Sequence, residues 1–244
     1  MRNLLFTIRF DGSAYHGWQV QENAVTVQQT VQDALEQILQ TRDNIVGCSR
    51  TDSGVHANMY CFNMRTETPM ACSRLVTALN AVLPDDIGVT DCRETDYGFH
   101  ARYSCKSKEY IYKIWNSPCK NPFESKYSLQ WKYPLDEKFL DSQAKYFTGT
   151  HDFKAFCTSG SSVESTVRTV SSAGVTRDGD MVIFRVEADG FLYNMVRIMV
   201  GTLLDISAGK IPPDKIPVII ASGSRDLAGA TAPPEGLCLN RINY

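Results

Sequence analysis

The sequence predicts an α+β fold of two β-α-β-β-α-β halves, the order of ferredoxin-like folds, sharing a central mixed, mainly antiparallel sheet. Three observations lead there. Apolar residues recur at helical spacing in four windows and form short β-rich runs between them. The order of these windows and runs before Arg102 recurs after it. Turn residues such as Asp178-Gly179 and helix stops such as Pro84 and Gly209 fall at the junctions.

In the first half, residues 4–10 read as a strand, and Val27, Val31, Ala34, Leu35, Ile38 and Leu39 as one face of a helix. Two short apolar runs follow, 45–48 and 59–64, with a polar loop carrying Asp52 and Gly54 between them. Leu75, Val76, Leu79, Val82 and Leu83 mark a second helix closed by Pro84, and residues 87–93 a strand. The second half opens with a strand over 109–115, then a helix over 136–147 carrying Phe139, Leu140 and Ala144 on one side. Residues 167–176 and 181–188 form a hairpin around Asp178-Gly179, a dipeptide that tolerates positive φ. A long helix over 191–208 ends at Gly209, with Pro212-Pro213 preventing continuation, and a strand over 236–243 closes the half. The halves are residues 1–105 and 106–244, with no residue-level repeat between them.

A chain of 244 residues is long enough to bury a sizeable core, and its 43% hydrophobic and 21% charged content excludes disordered, collagenous and low-complexity classes. The longest nearly apolar stretch, 195–206, is interrupted by Arg197 and Asp205 and falls short of the roughly 20 residues of a membrane span. Leu4-Leu5-Phe6 is too short for a signal-peptide core. A cytoplasmic protein with no membrane partner is expected. The eight cysteines include no Cys-x-x-Cys pair, and the four histidines lie at least 40 residues apart, so reduced thiols and no metal site are expected.

The formal net charge of −2 hides an asymmetry. Residues 97–132 hold seven basic side chains, Arg102, Lys106, Lys108, Lys113, Lys120, Lys126 and Lys132, against two acidic ones, Glu109 and Glu124. A solvated lysine-rich face accounts for this. So does an RNA-binding groove, because the cations are interleaved with Tyr103, Tyr110, Tyr112 and Trp115, and RNA offers phosphates to charge and bases to rings.

The loop Ser49-Arg50-Thr51-Asp52-Ser53-Gly54-Val55-His56-Ala57 sets an arginine, an aspartate, a glycine and a histidine between two apolar strands. Turn chemistry alone accounts for Asp52 and Gly54. The loop also resembles the Gly-Arg-Thr-Asp-Ala-Gly-Val-His-Ala loop of the TruA family of tRNA pseudouridine synthases, with Ser49 and Ser53 replacing a glycine and the alanine. The likeness runs nearly end to end. It includes Tyr15-His16-Gly17-Trp18-Gln19, Phe99-His100-Ala101-Arg102-Tyr103-Ser104 and Lys108-Glu109-Tyr110-Ile111-Tyr112. Further on come Gly149-Thr150-His151-Asp152-Phe153, Phe191-Leu192-Tyr193-Asn194-Met195-Val196-Arg197 and Ala232-Pro233-Pro234-Glu235-Gly236-Leu237.

The resemblance implies the pseudouridine synthase fold and isomerisation of uridine to pseudouridine at positions 38, 39 and 40 of the tRNA anticodon stem-loop, by base flipping. Residue for residue it makes Asp52 the essential aspartate and Arg197 its cationic partner. Tyr110 becomes the tyrosine that stacks on the target base, and Arg50 the arginine that fills the vacated stack. Taken alone, Tyr110 also reads as a core aromatic on one strand face, Arg197 as an arginine snorkelling to the surface, and Arg50 as half of a loop salt bridge. Lys106, Lys120 and Lys126 are candidate phosphate contacts. His56 and His100 receive no catalytic role. The reaction has no redox or phosphoryl step and the sequence carries no dinucleotide or phosphate loop, so no cofactor is expected. The resemblance also implies a homodimer with tRNA touching both subunits. A non-catalytic RNA-binding module would use the same sheet and basic segment, but has no need of an ionised carboxylate facing anionic RNA. A hydrolase with paired carboxylates lacks a second acid near Asp52.

Overall fold

The computed structural model describes residues 1–158 and 164–244. Its elements run β1 (Arg2–Phe10), α1 (Val27–Leu39), β2 (Ile45–Gly47), β3 (His56–Thr66), α2 (Cys72–Val82), β4 (Ile87–Thr95), β5 (Ser107–Trp115), β6 (Leu129–Gln130), α3 (Glu137–Ala144), β7 (Gly149–Asp152), β8 (Val167–Asp178), β9 (Met181–Ala188), α4 (Met195–Ser207), α5 (Ile216–Ser222) and β10 (Leu237–Asn243). The chain divides into two compact units, Met1–Lys106 with Cys238–Tyr244, and Ser107–Leu237. Each is α+β with a mixed, mainly antiparallel sheet.

In the first unit β1 lies between β3 and β4, antiparallel to both, and β2 pairs with the far end of β3. Phe6 opposes Phe62 across β1 and β3, and their rings stack at 4.8 Å inside the core. Helix α1 starts where Thr26 caps the amide of Gln29, buries Val27, Val31, Ala34 and Leu35, and ends at Gln40 in the left-handed region. The last strand, β10, closes the second half in chain order, yet in space it runs parallel to β3, with Cys238 opposite His56. The hydroxyl of Tyr244 donates to the carbonyl of Ala101 at 3.0 Å, so the far end of the chain is fastened into the first unit.

In the second unit the strand order is β5-β9-β8-β7, with β6 parallel to β5. The β8–β9 hairpin turns at Gly179, whose φ of 56° is one glycine adopts without strain. Helix α4 starts at Met195 rather than residue 191, because Asn194 sits at φ 60°, in the left-handed region, and breaks the run. Its face against the segment before β10 is very tight. A Cβ added to Gly201 would lie 1.6 Å from the carbonyl oxygen of Ala230. Strands β6 and β7 and helix α5 escape the sequence reading, being two, four and seven residues long.

Candidate active site

Residues 48–55 join β2 to β3, and backbone bonds from an earlier segment hold this loop. The amide of Trp18 donates to the carbonyl of Thr51 (3.4 Å), and the amide of Gly54 to that of Tyr15 (3.1 Å). Within the loop the amide of Val55 donates to the carbonyl of Asp52 (3.2 Å), while Gly54 takes a φ of 78°. The carbonyl of Asp52 is thereby spent on the turn, and the residue is half-buried. Arg50 is exposed.

Two glycines make this seat. A Cβ on Gly17, itself at φ +81°, would stand 2.2 Å from the carbonyl oxygen of Thr51. One on Gly12 would stand 2.0 Å from that of Val55. Trp18 stacks on Tyr60 at 4.2 Å, and the Tyr60 hydroxyl donates to the carbonyl of Ser49, which fixes the start of the loop. His56 accepts the Gly12 amide on Nδ1 at 3.0 Å, a structural duty that clamps the two segments together. The tight fit of the Tyr15-His16-Gly17-Trp18 block to the loop gives that block a physical purpose invisible in its sequence.

In the second unit Tyr110 lies in β5 opposite Val186 of β9, only 6% exposed, with its ring edge-on to Phe191 at 5.0 Å. Tyr112, two residues on, is fully buried and donates its hydroxyl to the carbonyl of Pro233 at 2.8 Å. Burial pushes its phenol well above the ordinary value, with the nearby Glu235 carboxylate adding to the shift. Gly236 packs directly on this ring.

Arg197, in the first turn of α4, is half-buried between the buried Met195, Val196, Ile198 and Met199. Its Nε donates to the carbonyl of Ala232 at 2.7 Å and one terminal nitrogen to Oδ1 of Asn194 at 2.7 Å. The Ala232 amide returns a bond to the Arg197 carbonyl at 3.1 Å. The Ala232 carbonyl and the Asn194 side chain thus orient the guanidinium. The Ala232 acceptor does not follow from helical spacing, being 35 residues away, and Asn194, three residues before Arg197, lies outside the helix at φ 60°.

The basic segment divides. Lys106, Lys120 and Lys126 are exposed, whereas Lys108 is buried within β5. Its aromatics divide too: Tyr112 is fully buried, Tyr110 keeps 6% of its surface exposed, and Tyr103 is 76% exposed. A surface groove therefore has fewer of these cations and rings at its disposal than the sequence holds.

The sequence profile of the tRNA pseudouridine synthase family matches residues 7–104 and 143–244. The chain belongs to that family. Among curated relatives, the tRNA pseudouridine synthase A of Thermoanaerobacter sp. (strain X514) is 46% identical over 244 residues, covering all of both chains. That of Acetivibrio thermocellus is 45% identical and that of Clostridium acetobutylicum 42%, again over the full length of each. A chain from the crystal structure of a Cbf5-Nop10-Gar1 complex is matched over 96% of this chain and 57% of its own, with a TM-score of 0.40 and 12% identity. As a tRNA pseudouridine synthase the protein is an isomerase that acts on tRNA uridine. No helix among the described residues is long and apolar enough to cross a membrane.

Proposed function

We propose that this tRNA pseudouridine synthase modifies uridines 38, 39 and 40 of the anticodon stem-loop, with Asp52 as the essential carboxylate. In the reaction the C1′–N1 bond of uridine breaks, the freed uracil turns while held, and C5 bonds to C1′. C5 then loses its proton and N1, freed of its bond to C1′, takes one up, so nothing is oxidised or reduced. Asp52 acts ionised, as nucleophile or base. Arg197 is its counter-charge, Tyr110 stacks on the target base, and Arg50 occupies the space the flipped nucleotide leaves. Lys106, Lys120 and Lys126 hold phosphates. The enzyme works as a homodimer in the cytoplasm, a reading that rests on the family resemblance.

The observation that carries the catalytic assignment is the seat of Asp52. A loop held on two glycines that admit no side chain, with the aspartate's own carbonyl spent on the turn, holds the residue bearing the carboxylate in a fixed place. An ionised, partly desolvated carboxylate requires a cationic partner, and the family resemblance assigns that part to Arg197. The direct test is incubation with an unmodified tRNA transcript and position-resolved detection of pseudouridine. Product is expected at positions 38–40 and absent when those uridines are replaced by cytidine. Product at other positions alone would refute the anticodon assignment.

The phosphate contacts have their own measurement. Log affinity for tRNA should fall linearly with log salt, by about 0.7–0.9 per contacted phosphate. Replacing Lys106, Lys120 and Lys126 singly by Gln should lower that slope by up to about one each. Three unchanged slopes would make the segment a solvated face.

A further inference from the structure

The 99–104 block is built into the first unit more firmly than its surface position requires. The Ala101 amide donates to Oδ1 of Asn63 (2.8 Å), and Nδ2 of Asn63 donates to Oδ1 of Asn3 (2.9 Å). Nδ2 of Asn3 in turn donates to the carbonyl of Phe99 (2.9 Å). These buried side chains, with the Tyr244 hydroxyl on the carbonyl of Ala101, anchor the turn. His100 then holds the next two residues: its Nδ1 accepts the amides of Arg102 (3.2 Å) and Tyr103 (3.3 Å).

Facing outward from this rigid base are the two side chains that contribute nothing to the anchoring. Tyr103 is 76% exposed, with its ring lying on the His100 imidazole at 4.2 Å and 30° between planes. The Arg102 guanidinium is 5.7 Å from the Tyr103 ring centre. An exposed tyrosine on a mobile loop is ordinary. One supported by a second ring, on a turn tied to Asn63, Asn3 and Tyr244 and bonded within itself, is a pre-organised surface with a cation over the ring that a base can displace. An unpaired nucleotide offers the complementary chemistry, a π-face for the ring and a phosphate for the guanidinium.

We propose that Tyr103, backed by His100 and flanked by Arg102, is a stacking platform for an unpaired nucleotide of the tRNA substrate. The proposal rests on the tRNA pseudouridine synthase reading and extends it to a contact away from the chemistry. Ala101 is bonded to Asn63 near the end of β3, whereas the Asp52 loop enters β3 at His56. At about 3.3 Å per residue the two ends are roughly 20 Å apart along the strand, so this nucleotide is distinct from the target uridine.

The test measures tRNA affinity across a salt series for wild type, Tyr103→Ala, Tyr103→Phe and Arg102→Gln, alongside pseudouridine formation by wild type. Tyr103→Ala should raise Kd by about 5- to 150-fold with the salt slope unchanged, because stacking releases no counterions. Tyr103→Phe should restore affinity, since the ring is the binding element. Arg102→Gln should lower the slope by up to about one. Wild-type affinity in Tyr103→Ala would overturn the platform. So would a loss accompanied by a lower melting temperature or a changed subunit count, which would assign the ring to packing or to a protein contact. If wild type binds tRNA yet forms no pseudouridine, the enzymatic reading fails by itself, separately from the platform.

Discussion

Asp52→Asn should leave a folded protein that binds tRNA and forms no detectable pseudouridine, a loss of about 10⁴-fold or more. Asparagine has nearly the shape of aspartate and also suits turns, and the bonds that hold this loop run through the main chains of Thr51, Asp52 and Gly54. The substitution therefore removes charge while leaving the seat on Gly12 and Gly17 in place. Single-turnover assays with excess enzyme, together with a binding isotherm and a melting curve, separate the outcomes. Product formation near the wild-type rate would take Asp52 out of the mechanism. A collapsed melting temperature would instead give the carboxylate a structural duty.

Arg197→Met should reduce single-turnover rate by roughly 10²–10³-fold, with much less effect on tRNA affinity, as expected when a preset cation is withdrawn from a charged reacting centre. Methionine keeps the apolar stem among Met195, Ile198 and Met199, but it loses the donors that reach Ala232 and Asn194. Arg197→Lys should fall between the two, because it restores charge without the directed Nε bond. A selective loss of affinity with normal chemistry would place Arg197 at a phosphate.

The first half was legible because its signals are local. Val27, Val31 and Leu35 repeat with the helix, Pro84 stops the next one, and β1, α1, β2, β3, α2 and β4 follow in the expected order. The hairpin at Gly179 and the left-handed residue Gly209 were equally plain, since each depends on one residue's φ. What escaped depends on partners far off in the chain. The parallel pairing of β10 with β3 leaves no mark in either strand's own pattern. Helix α4 begins late because one non-glycine residue, Asn194, adopts positive φ, a state that apolar periodicity does not report. Lys108 counts in the sequence as one of seven cations of the basic segment, yet it is buried. Around the candidate site the loop and its flanking strands could be read from polarity alone, but its supports could not. Gly12 and Gly17 look like ordinary turn glycines until their distances to Thr51 and Val55 are known, and Ala232 carries no side-chain signal.

The capture of β10 by the first unit fixes an order of events during synthesis. Residues 1–106 leave the ribosome early, yet the strand that lines β3 and the tyrosine that fastens Ala101 are made only after the whole of Ser107–Leu237. At about 5–20 residues per second that interval is on the order of ten seconds. Throughout it β3 lacks its parallel neighbour beside His56, leaving backbone donors and acceptors open to foreign strands. The loop bearing Asp52 runs straight into this unfinished edge. The first unit therefore completes its fold last, and a nascent chain stalled within Ser107–Leu237 would display an incomplete sheet next to its candidate catalytic loop.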